Sequence, residues 1–344
     1  MNPKFKLVAA LFVLSILFAG TNAFAEEKTK EYHESWAASS IESLEVINKF
    51  GEVKVKNEGG TEITIDVVVT VEARDERDAN ELLEKIDVQF SKNGSTLKAV
   101  TSIEKNFKSQ RKFSIDYEVN IPSEKNLNIS NKYGNTIVNK VTGDADFDVQ
   151  YGNFTANELL GEKTMVSLAY GKANISSAAD LSVEVQYSGM TFEEVGNMKV
   201  DSKYSALEIE EGKKIEIESK YDKFEFEEVE SVYANIKYSH LRIGELAKEL
   251  KVESGYGSVK VSQVNAGFES ISVTNSYGQI SLGLDENYTV DAKCEYCGIT
   301  YPEDEFIGNR MKENHTSTIN GKVGSGSGGK VYIRSRYGEI KLRD

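Results

Sequence analysis

The chain has 344 residues, a formal net charge of −14 and 28% charged residues. Phosphate backbones repel such an acidic surface, so nucleic acid is not an expected partner, and neutral or cationic surfaces fit better. Two cysteines are too few for a disulfide framework, whereas 27 glycines and only 3 prolines suit many short strands joined by tight turns.

Residues 1–25 have the pattern of a secretory signal peptide. Lys4 and Lys6 form a positive n-region, an apolar h-region follows, and Ala23-Phe24-Ala25 fits an A-x-A cleavage site. We therefore expect export to the periplasm, the outer cell surface or the medium. No second apolar stretch of bilayer length follows in the sequence, so we expect no membrane insertion after signal cleavage.

Residues 57–120 predict an N-terminal embellishment of strands, one helix and one hairpin. Ile63–Val71 alternate as a strand, Asp75 is a suitable N-cap for a helix, and Asn93-Gly94 fits a hairpin turn. Such an addition covers the otherwise unpaired first edge of a sheet. We predict that it belongs to one domain, residues 26–344, rather than forming a second domain.

An aromatic residue, usually followed by glycine, recurs about every 17 to 19 residues. A fixed period of this length is typical of a solenoid, in which each coil buries its apolar face only against its neighbours. The regular series comprises Tyr133, Tyr151, Tyr170, Tyr187, Tyr204, Tyr221, Tyr238, Tyr256, Tyr277 and Tyr296. An earlier Phe50-Gly51 and a late Tyr337-Gly338 belong to the same series at longer intervals.

Apolar and polar residues alternate on both sides of each aromatic residue, which predicts two strands per coil. The fold class is thus all-β: a single-stranded parallel β-solenoid, expected to be right-handed, with regular coils over residues 121–301. Counting in twos predicts that the aromatic side chain points inward and that the glycine takes a positive φ. Small polar residues two positions before the aromatic residue, such as Asn131 and Ser335, are expected to bond to the turn backbone.

Residues 302–330 form a polar excursion that ends in the glycine-rich stretch 324–329. The pattern fits either a surface loop or a loosely built coil. Residues 331–344 then predict a final coil whose last strand is an exposed sheet edge. An oligomer could assemble through that edge.

Cys294 and Cys297 form a C-x-x-C pair around Tyr296. Cys294 occupies an inward strand position, and Cys297 replaces the usual glycine of the turn. A disulfide is feasible if the turn brings the two Cα atoms within about 7 Å, whereas an extended strand leaves free thiols. The sequence leaves both states open.

No catalytic, cofactor or metal site is predicted. Gly324, Gly329 and Lys330 have phosphate-loop spacing, but Val331 replaces the magnesium-binding hydroxyl residue and begins a strand instead of a helix. Acidic pairs recur with the coil and are expected to stack as a solvated edge; they are Glu193-Glu194, Glu210-Glu211 and Glu227-Glu228. The histidines are isolated from one another; they are His33, His240 and His315.

With the signal peptide and the Tyr-Gly coils, the stretch Val119–Pro122 leading into Leu127–Ile129 resembles a bacterial family of exported β-strand-repeat proteins. That family is known as a domain of unknown function or "putative adhesin", akin to the head domain of some autotransporter adhesins. The resemblance covers about residues 41–344. It implies a β-solenoid and a role in the cell envelope, and it supplies no functional residue.

We therefore predict an exported, non-catalytic binding or structural module of the bacterial cell envelope, acting in adhesion, with an envelope glycan or protein as partner. Two alternatives remain open at this point. One is a β-helix enzyme acting on polysaccharide, which requires a cleft of acidic residues on one face. The other is an envelope sensor or assembly partner that uses an exposed solenoid edge.

Overall fold

The computed structural model describes residues 26–109, 111–285 and 287–342, so the predicted signal peptide lies outside the described residues. The N-terminal part contains a short 3-10 helix, Ala38–Ser40, and helix α1, Glu76–Glu84. Its strands are β1 (Glu26–Ala37), β2 (Ser43–Lys49), β3 (Val53–Lys56), β4 (Glu62–Ala73), β5 (Ile86–Asn93), β6 (Thr96–Ile103) and β7 (Phe113–Asn120).

The remaining elements are all strands. Those of the coils are β8 (Asn126–Lys132), β9 (Thr136–Val141), β10 (Ala145–Gln150), β11 (Phe154–Leu159), β12 (Thr164–Ala169), β13 (Lys172–Gln186), β14 (Gly189–Lys203), β15 (Ala206–Lys220), β16 (Lys223–Lys237), β17 (His240–Gly255), β18 (Val259–Val264), β19 (Ser270–Ser276), β20 (Ile280–Leu284), β21 (Tyr288–Glu295) and β22 (Ile299–Thr300). The last four are β23 (Phe306–Glu313), β24 (Thr316–Val323), β25 (Lys330–Arg336) and β26 (Ile340–Lys341).

Successive coils stack in parallel and form two sheets. The first sheet contains the strands that lead into each aromatic residue, in the order β6, β2, β8, β10, β12 and onward. The second contains the strands that follow it, in the order β7, β3, β9, β11 and onward. In the middle of the solenoid, β13 to β17 are long enough to run through both sheets around one corner. The prediction of a parallel β-solenoid is confirmed, whereas its handedness stays a prediction.

The core lies between the two sheets, where apolar side chains of adjacent coils stack on one another. Phe192, Ile209 and Phe226 occupy one column in adjacent coils, and all three side chains are buried. Each buried side chain of this size contributes roughly 1.5–3 kcal/mol of transfer free energy. Because strand side chains alternate between faces, the same register sends the intervening polar residues to solvent on every coil.

Antiparallel strands cover the N-terminal end of both sheets. β1 and β4 continue the second sheet beyond β7, and β5 folds back on β6 beside the first sheet. The N-cap prediction for α1 is confirmed, because the Asp75 carboxylate accepts a hydrogen bond from the Asp78 backbone N–H at 2.9 Å. The hairpin at Asn93-Gly94 is also confirmed, with Gly94 at φ 60°.

The C-terminal end corrects two expectations. The excursion at residues 302–330 contains the hairpin β23–β24, whose second strand pairs antiparallel with β21, so it is neither a loop nor a loose coil. The final strands are not an edge. β25 lies between β19 and β21, and β26 lies between β20 and β22, with parallel pairing on both sides.

Across the described residues, helix α1 is far too short and polar to cross a bilayer, and no other helix is long and apolar enough to do so.

Candidate functional site: the aromatic ladder and the polar groove

The recurring aromatic residues form one continuous stack at the corner between the two sheets, which we call the aromatic ladder. Ring centroids of neighbours lie 4.7–5.1 Å apart and their planes differ by 1–18°. The ladder runs from Phe50 through the tyrosines in chain order to Tyr277, then through Tyr337 to Tyr296. His315 stacks on Tyr296 at 5.0 Å and ends the row.

The prediction that these side chains point inward is wrong. The ladder tyrosines are about half exposed, from 43% at Tyr337 to 52% at Tyr296. The physical reason is the backbone: every ladder residue has a positive φ, between 52° and 66°. A left-handed residue breaks the alternation of the strand, so counting in twos fails at the turn and the side chain projects outward.

The prediction that the following glycine supplies the positive φ is wrong for the same reason. These glycines are needed because each one lies against the carbonyl group of the coil below. A Cβ at Gly134 would lie 1.8 Å from the Gly51 oxygen, and one at Gly278 would lie 1.6 Å from the Gly257 oxygen. Close approach of two backbones, and not backbone conformation, therefore selects glycine here.

Asparagine or serine side chains brace several of these glycine turns from inside, as expected. Asn275 donates from Nδ2 to the carbonyl oxygen of Gly278 at 2.6 Å, and the Ser335 hydroxyl donates to that of Gly338 at 2.6 Å. Both side chains are buried, so these bonds satisfy groups that would otherwise cost about 1–3 kcal/mol each.

Four consecutive coils use a different turn, in which a polar side chain replaces the glycine. These residues are Ser188, Ser205, Asp222 and Ser239, and all four are buried. Each side chain accepts a hydrogen bond from the backbone N–H at the same position in the preceding coil, as in the 2.6 Å bond from the Ser205 N–H to Asp222 Oδ1. The turn thus keeps its backbone satisfied without glycine.

The pKa of the Asp222 carboxyl is raised, and burial is the main cause. Hydrogen bonds from the Ser205 backbone N–H and the Ser202 hydroxyl partly oppose that effect. The carboxyl is enclosed in the turn and does not face solvent. It is therefore a structural group and not an acid available to a ligand.

Cys294 and Cys297 are joined by a disulfide, with their Cα atoms 5.4 Å apart. Cys294 is fully buried at the position that Ser335 occupies in the adjacent coil, and Cys297 stands where that coil has Gly338. The disulfide is thus the covalent counterpart of the bond between Ser335 and Gly338. It braces the turn of the coil that carries Tyr296.

The ladder offers ring edges and hydroxyl groups to a ligand, but not ring faces. Each internal ring is covered on both faces by its neighbours, so a sugar or a base cannot stack on it. Cations lie beside part of the row: Lys132 Nζ is 5.2 Å from the Tyr133 ring centroid, and the Arg336 guanidinium is 5.1 Å from that of Tyr337. The main role of the ladder is cohesion between coils, because each stacked pair contributes about 0.5–1.5 kcal/mol.

An extended surface depression lies on the outer face of the first sheet, and we call it the polar groove. It comprises two adjoining shallow cavities of about 880 and 640 Å³, which share Lys199, Lys214 and Glu216 and cross the strands from β2 to β17. Its floor is a column of outward side chains, one per coil: Asn128, Asp146, Met165, Ser182, Lys199, Glu216, Tyr233 and Lys251. Acidic side chains outnumber basic ones along its walls.

Tyr233 is the aromatic residue of the groove. Its hydroxyl bonds to the Glu249 carboxylate, which raises the pKa of Tyr233 to about 12, and Lys214 Nζ lies 5.2 Å from its ring centroid. Unlike the ladder tyrosines, Tyr233 has no aromatic ring stacked on it among the described residues. The prediction from the sequence missed this groove, because outward polar residues of a solenoid look alike until the sheets are placed.

The acidic pairs and the histidines lie outside the polar groove. The acidic pairs stack as predicted, with Glu194, Glu211 and Glu228 in register on adjacent coils. No group of three or more His, Cys, Asp or Glu side chains in the described part of the chain is arranged to hold a metal ion. The histidines lie on separate elements: His33 bonds to Asp66, which raises the His33 pKa, His240 bonds to Ser258, and His315 ends the ladder.

No protein-family model matches the chain, and no curated protein matches it either. Solved structures similar to the chain include a "putative cell adhesion protein" from Clostridium sporogenes, at 10% identity and a TM-score of 0.22, covering 92% of this chain and 99% of that one. Another is a "putative adhesin" from Parabacteroides distasonis, at 10% identity and a TM-score of 0.34, covering 74% of this chain and 94% of that one.

A third similar structure, also from Parabacteroides distasonis, is described as a "putative lipid binding protein". It has 12% identity and a TM-score of 0.32 and covers 73% of this chain and 96% of that one. At these identities and TM-scores the similarities carry no argument about function. The class that fold and site define is a β-solenoid with an external aromatic ladder and a polar groove along its axis.

Proposed function

We propose that the chain is an exported, non-catalytic β-solenoid of the bacterial envelope that acts in adhesion by binding a linear glycan along the polar groove. The observation that carries the proposal is the groove itself, which crosses the stacked coils from β2 to β17 and presents one outward side chain per coil. Solenoids use such extended concave surfaces for binding.

The spacing of the groove suits a polymer. Neighbouring strands lie about 4.8 Å apart, so a chain laid along the solenoid axis meets a new polar group at each step. Ser182, Lys199 and Glu216 are consecutive members of this column, and together they both donate and accept hydrogen bonds. A polymer rich in hydroxyl groups can accept hydrogen bonds from the donors of the column and donate to its acceptors.

The chemistry of the groove favours a glycan over other polymers. Its acidic walls disfavour phosphate-rich chains. The strands beneath it pair with neighbours on both sides, so no open edge is offered there to an extended peptide. Tyr233 supplies the single aromatic surface on which a sugar ring can pack.

A binding role without catalysis fits the titratable groups. Hydrolysis of a glycosidic bond by the usual route needs two carboxyl groups, one of them with a raised pKa, facing one another across the bond. Burial raises the pKa of Asp222, but this carboxyl is enclosed in a turn away from the groove. Asp222 is therefore not placed to act as that acid on a glycan in the groove.

Binding of the purified mature protein to a glycan array that includes cell-wall fragments tests the proposal. We expect at least one linear glycan to bind, and Lys199→Ala and Tyr233→Ala to weaken its Kd about tenfold each. Lys260→Ala is the matched control, because Lys260 is exposed on the outer face of the second sheet. Absence of any bound glycan, or equal loss in the control, would contradict the proposal.

A further inference from the structure

The order of coils in space differs from their order in the chain at the C-terminal end. The coil of β19 and β20 is followed in the sequence by the coil of β21 and β22, yet these two coils do not touch along their strands. Residues 330–342, which we call the insertion segment, lie between them. We call the space that this segment fills the slot.

The insertion segment supplies a complete layer of the structure. Val331, Ile333 and Ile340 are buried in the core, and the Tyr337 ring stacks between Tyr277 at 4.9 Å and Tyr296 at 5.0 Å. Without the segment, two coils would each expose unpaired backbone groups and apolar side chains. Such paired open edges bind an added strand strongly.

Backbone bonds hold the segment on both faces. On one side the Tyr277 N–H donates to the Arg336 carbonyl oxygen at 2.9 Å, and on the other the Tyr337 N–H donates to the Glu295 carbonyl oxygen at 3.0 Å. The Cys294–Cys297 disulfide lies in the coil directly above. The upper wall of the slot is therefore braced independently of the segment.

The linker before the segment is Gly324-Ser325-Gly326-Ser327-Gly328-Gly329. Gly324 and Gly326 have φ values of 60° and 71°, and the Asn287 side chain and backbone hold the linker at Ser325 and Gly328. Sequences of this composition behave as flexible chains once released, and six residues reach about 20 Å. The segment can therefore leave its own slot while the rest of the chain stays folded.

We propose that the insertion segment exchanges between two copies of this chain, so that the segment of each copy fills the slot of the other. The occupant is a second copy because its residues 330–342 make the same core, stacking and backbone contacts in either slot. Exchange of an identical element is a low-cost route to a dimer, since only the linker changes its contacts. This inference is independent of the glycan proposed above.

Two single-cysteine variants detect the exchange in the full chain. Thr274 on β19 and Arg334 on β25 are direct neighbours on the outer face of the first sheet, whereas Cys294 of the native disulfide is buried on the inner face. Thr274→Cys and Arg334→Cys chains are mixed at high concentration, partly unfolded in mild denaturant, refolded and oxidised. We expect a covalent heterodimer that joins the two introduced cysteines, identified by mass spectrometry.

The double variant Thr274→Cys/Arg334→Cys is the matched control. Oxidised before mixing, it holds the segment in its own slot, and we expect it to remain a monomer by light scattering. Deletion of Ser325–Gly328 shortens the linker, and we expect it to shift the chain toward dimer. A dimer that persists in the locked chain, or the absence of heterodimer from the mixed single variants, would overturn the proposal, as would failure of the double variant to cross-link.

Discussion

Gly134 packs directly on the carbonyl group of Gly51, with so little space that a Cβ at position 134 would lie 1.8 Å from the oxygen. The same relationship joins Gly152 to Gly134 and Gly278 to Gly257. Because the obstacle is backbone, no side-chain movement can relieve it. We predict that Gly134→Ala destabilises the protein by about 3 kcal/mol, measured as the free energy of unfolding in urea.

Gly255→Ala provides the control for this substitution. A Cβ at Gly255 meets no atom within 4 Å, and Gly255 ends strand β17. Alanine loses less conformational entropy than glycine on folding, so we expect a gain of about 0.5 kcal/mol. Equal effects at the two positions would show that steric contact with the coil below is not the reason for glycine.

Substitutions at Tyr204 separate ring stacking from hydroxyl chemistry. Tyr204→Phe should change the free energy of unfolding by less than about 0.5 kcal/mol, because the hydroxyl bonds to no described residue and Phe50 already serves in the ladder. Tyr204→Ala removes the stacking on Tyr187 and Tyr221 while keeping the positive φ, so we expect a loss of about 2 kcal/mol. An alanine variant as stable as the parent would refute cohesion by stacking.

Asp222→Ser should stabilise the protein at pH 7. Burial raises the pKa of Asp222 in the folded state, so folding costs free energy wherever the unfolded carboxyl is ionised. That cost falls as the pH drops through the raised folded value, and it is absent below the unfolded value of about 3.9. Serine already makes the same backbone bond in the neighbouring turns at Ser205 and Ser239.

The measurement for Asp222→Ser is the difference in free energy of unfolding between variant and parent across pH 3 to 8. We expect the variant to be more stable at pH 7 and its advantage to shrink steadily toward pH 3. The reverse trend would mean that the hydrogen bonds to the Asp222 carboxylate outweigh its burial. Ser205→Ala, which lacks a titratable group, should show no such dependence on pH.

The disulfide-braced turn at Cys294 and Cys297 can be replaced by the hydrogen-bonded turn of Ser335 and Gly338. Cys294→Ser/Cys297→Gly reproduces the pattern of Ser335 and Gly338 in the adjacent coil, so we expect it to fold and to be insensitive to reductant. The parent should lose about 2 kcal/mol on reduction, the value for a loop of four residues. Amide exchange should report the loss mainly at β21 and β22. A double alanine variant, which lacks the replacement hydrogen bond, should be less stable than the serine-glycine variant.

The sequence was sufficient to predict the two facing sheets, because alternation of residues such as Phe224 and Phe226 with polar neighbours has only one buried solution. The direction of the ladder side chains could not be predicted in the same way. Alternation assumes an extended backbone throughout, and one left-handed residue per coil, such as Tyr204 at φ 55°, reverses it. A tyrosine with a left-handed backbone is uncommon, so the pattern favours placing the positive φ of the turn at the following glycine.

The place of the insertion segment could not be predicted because the coils are interchangeable. Val331, Ile333 and Tyr337 would satisfy the pattern equally well at the end of the stack or inside it. Strand β1 was missed because its apolar residues are few, chiefly Tyr32 and Trp36, and half of its residues are charged. The polar groove depends on which strands become neighbours in the first sheet, and the outward side chains do not encode this one by one.

The late position of Tyr337 in the chain also determines the order in which the coils can form during synthesis. The coil of Phe50 is completed by β6 and β7, which follow it in the chain. The coils from Tyr133 to Tyr277 can then be added one on another as the polypeptide emerges, since each packs on the coil before it. The coil of Tyr296 cannot follow them, because the layer beneath it is made from residues 330–342, which emerge later still. The C-terminal end can therefore complete its folding only after residues 330–342 have been synthesised. A chain interrupted before them would expose two unpaired sheet edges, which chaperones and proteases recognise.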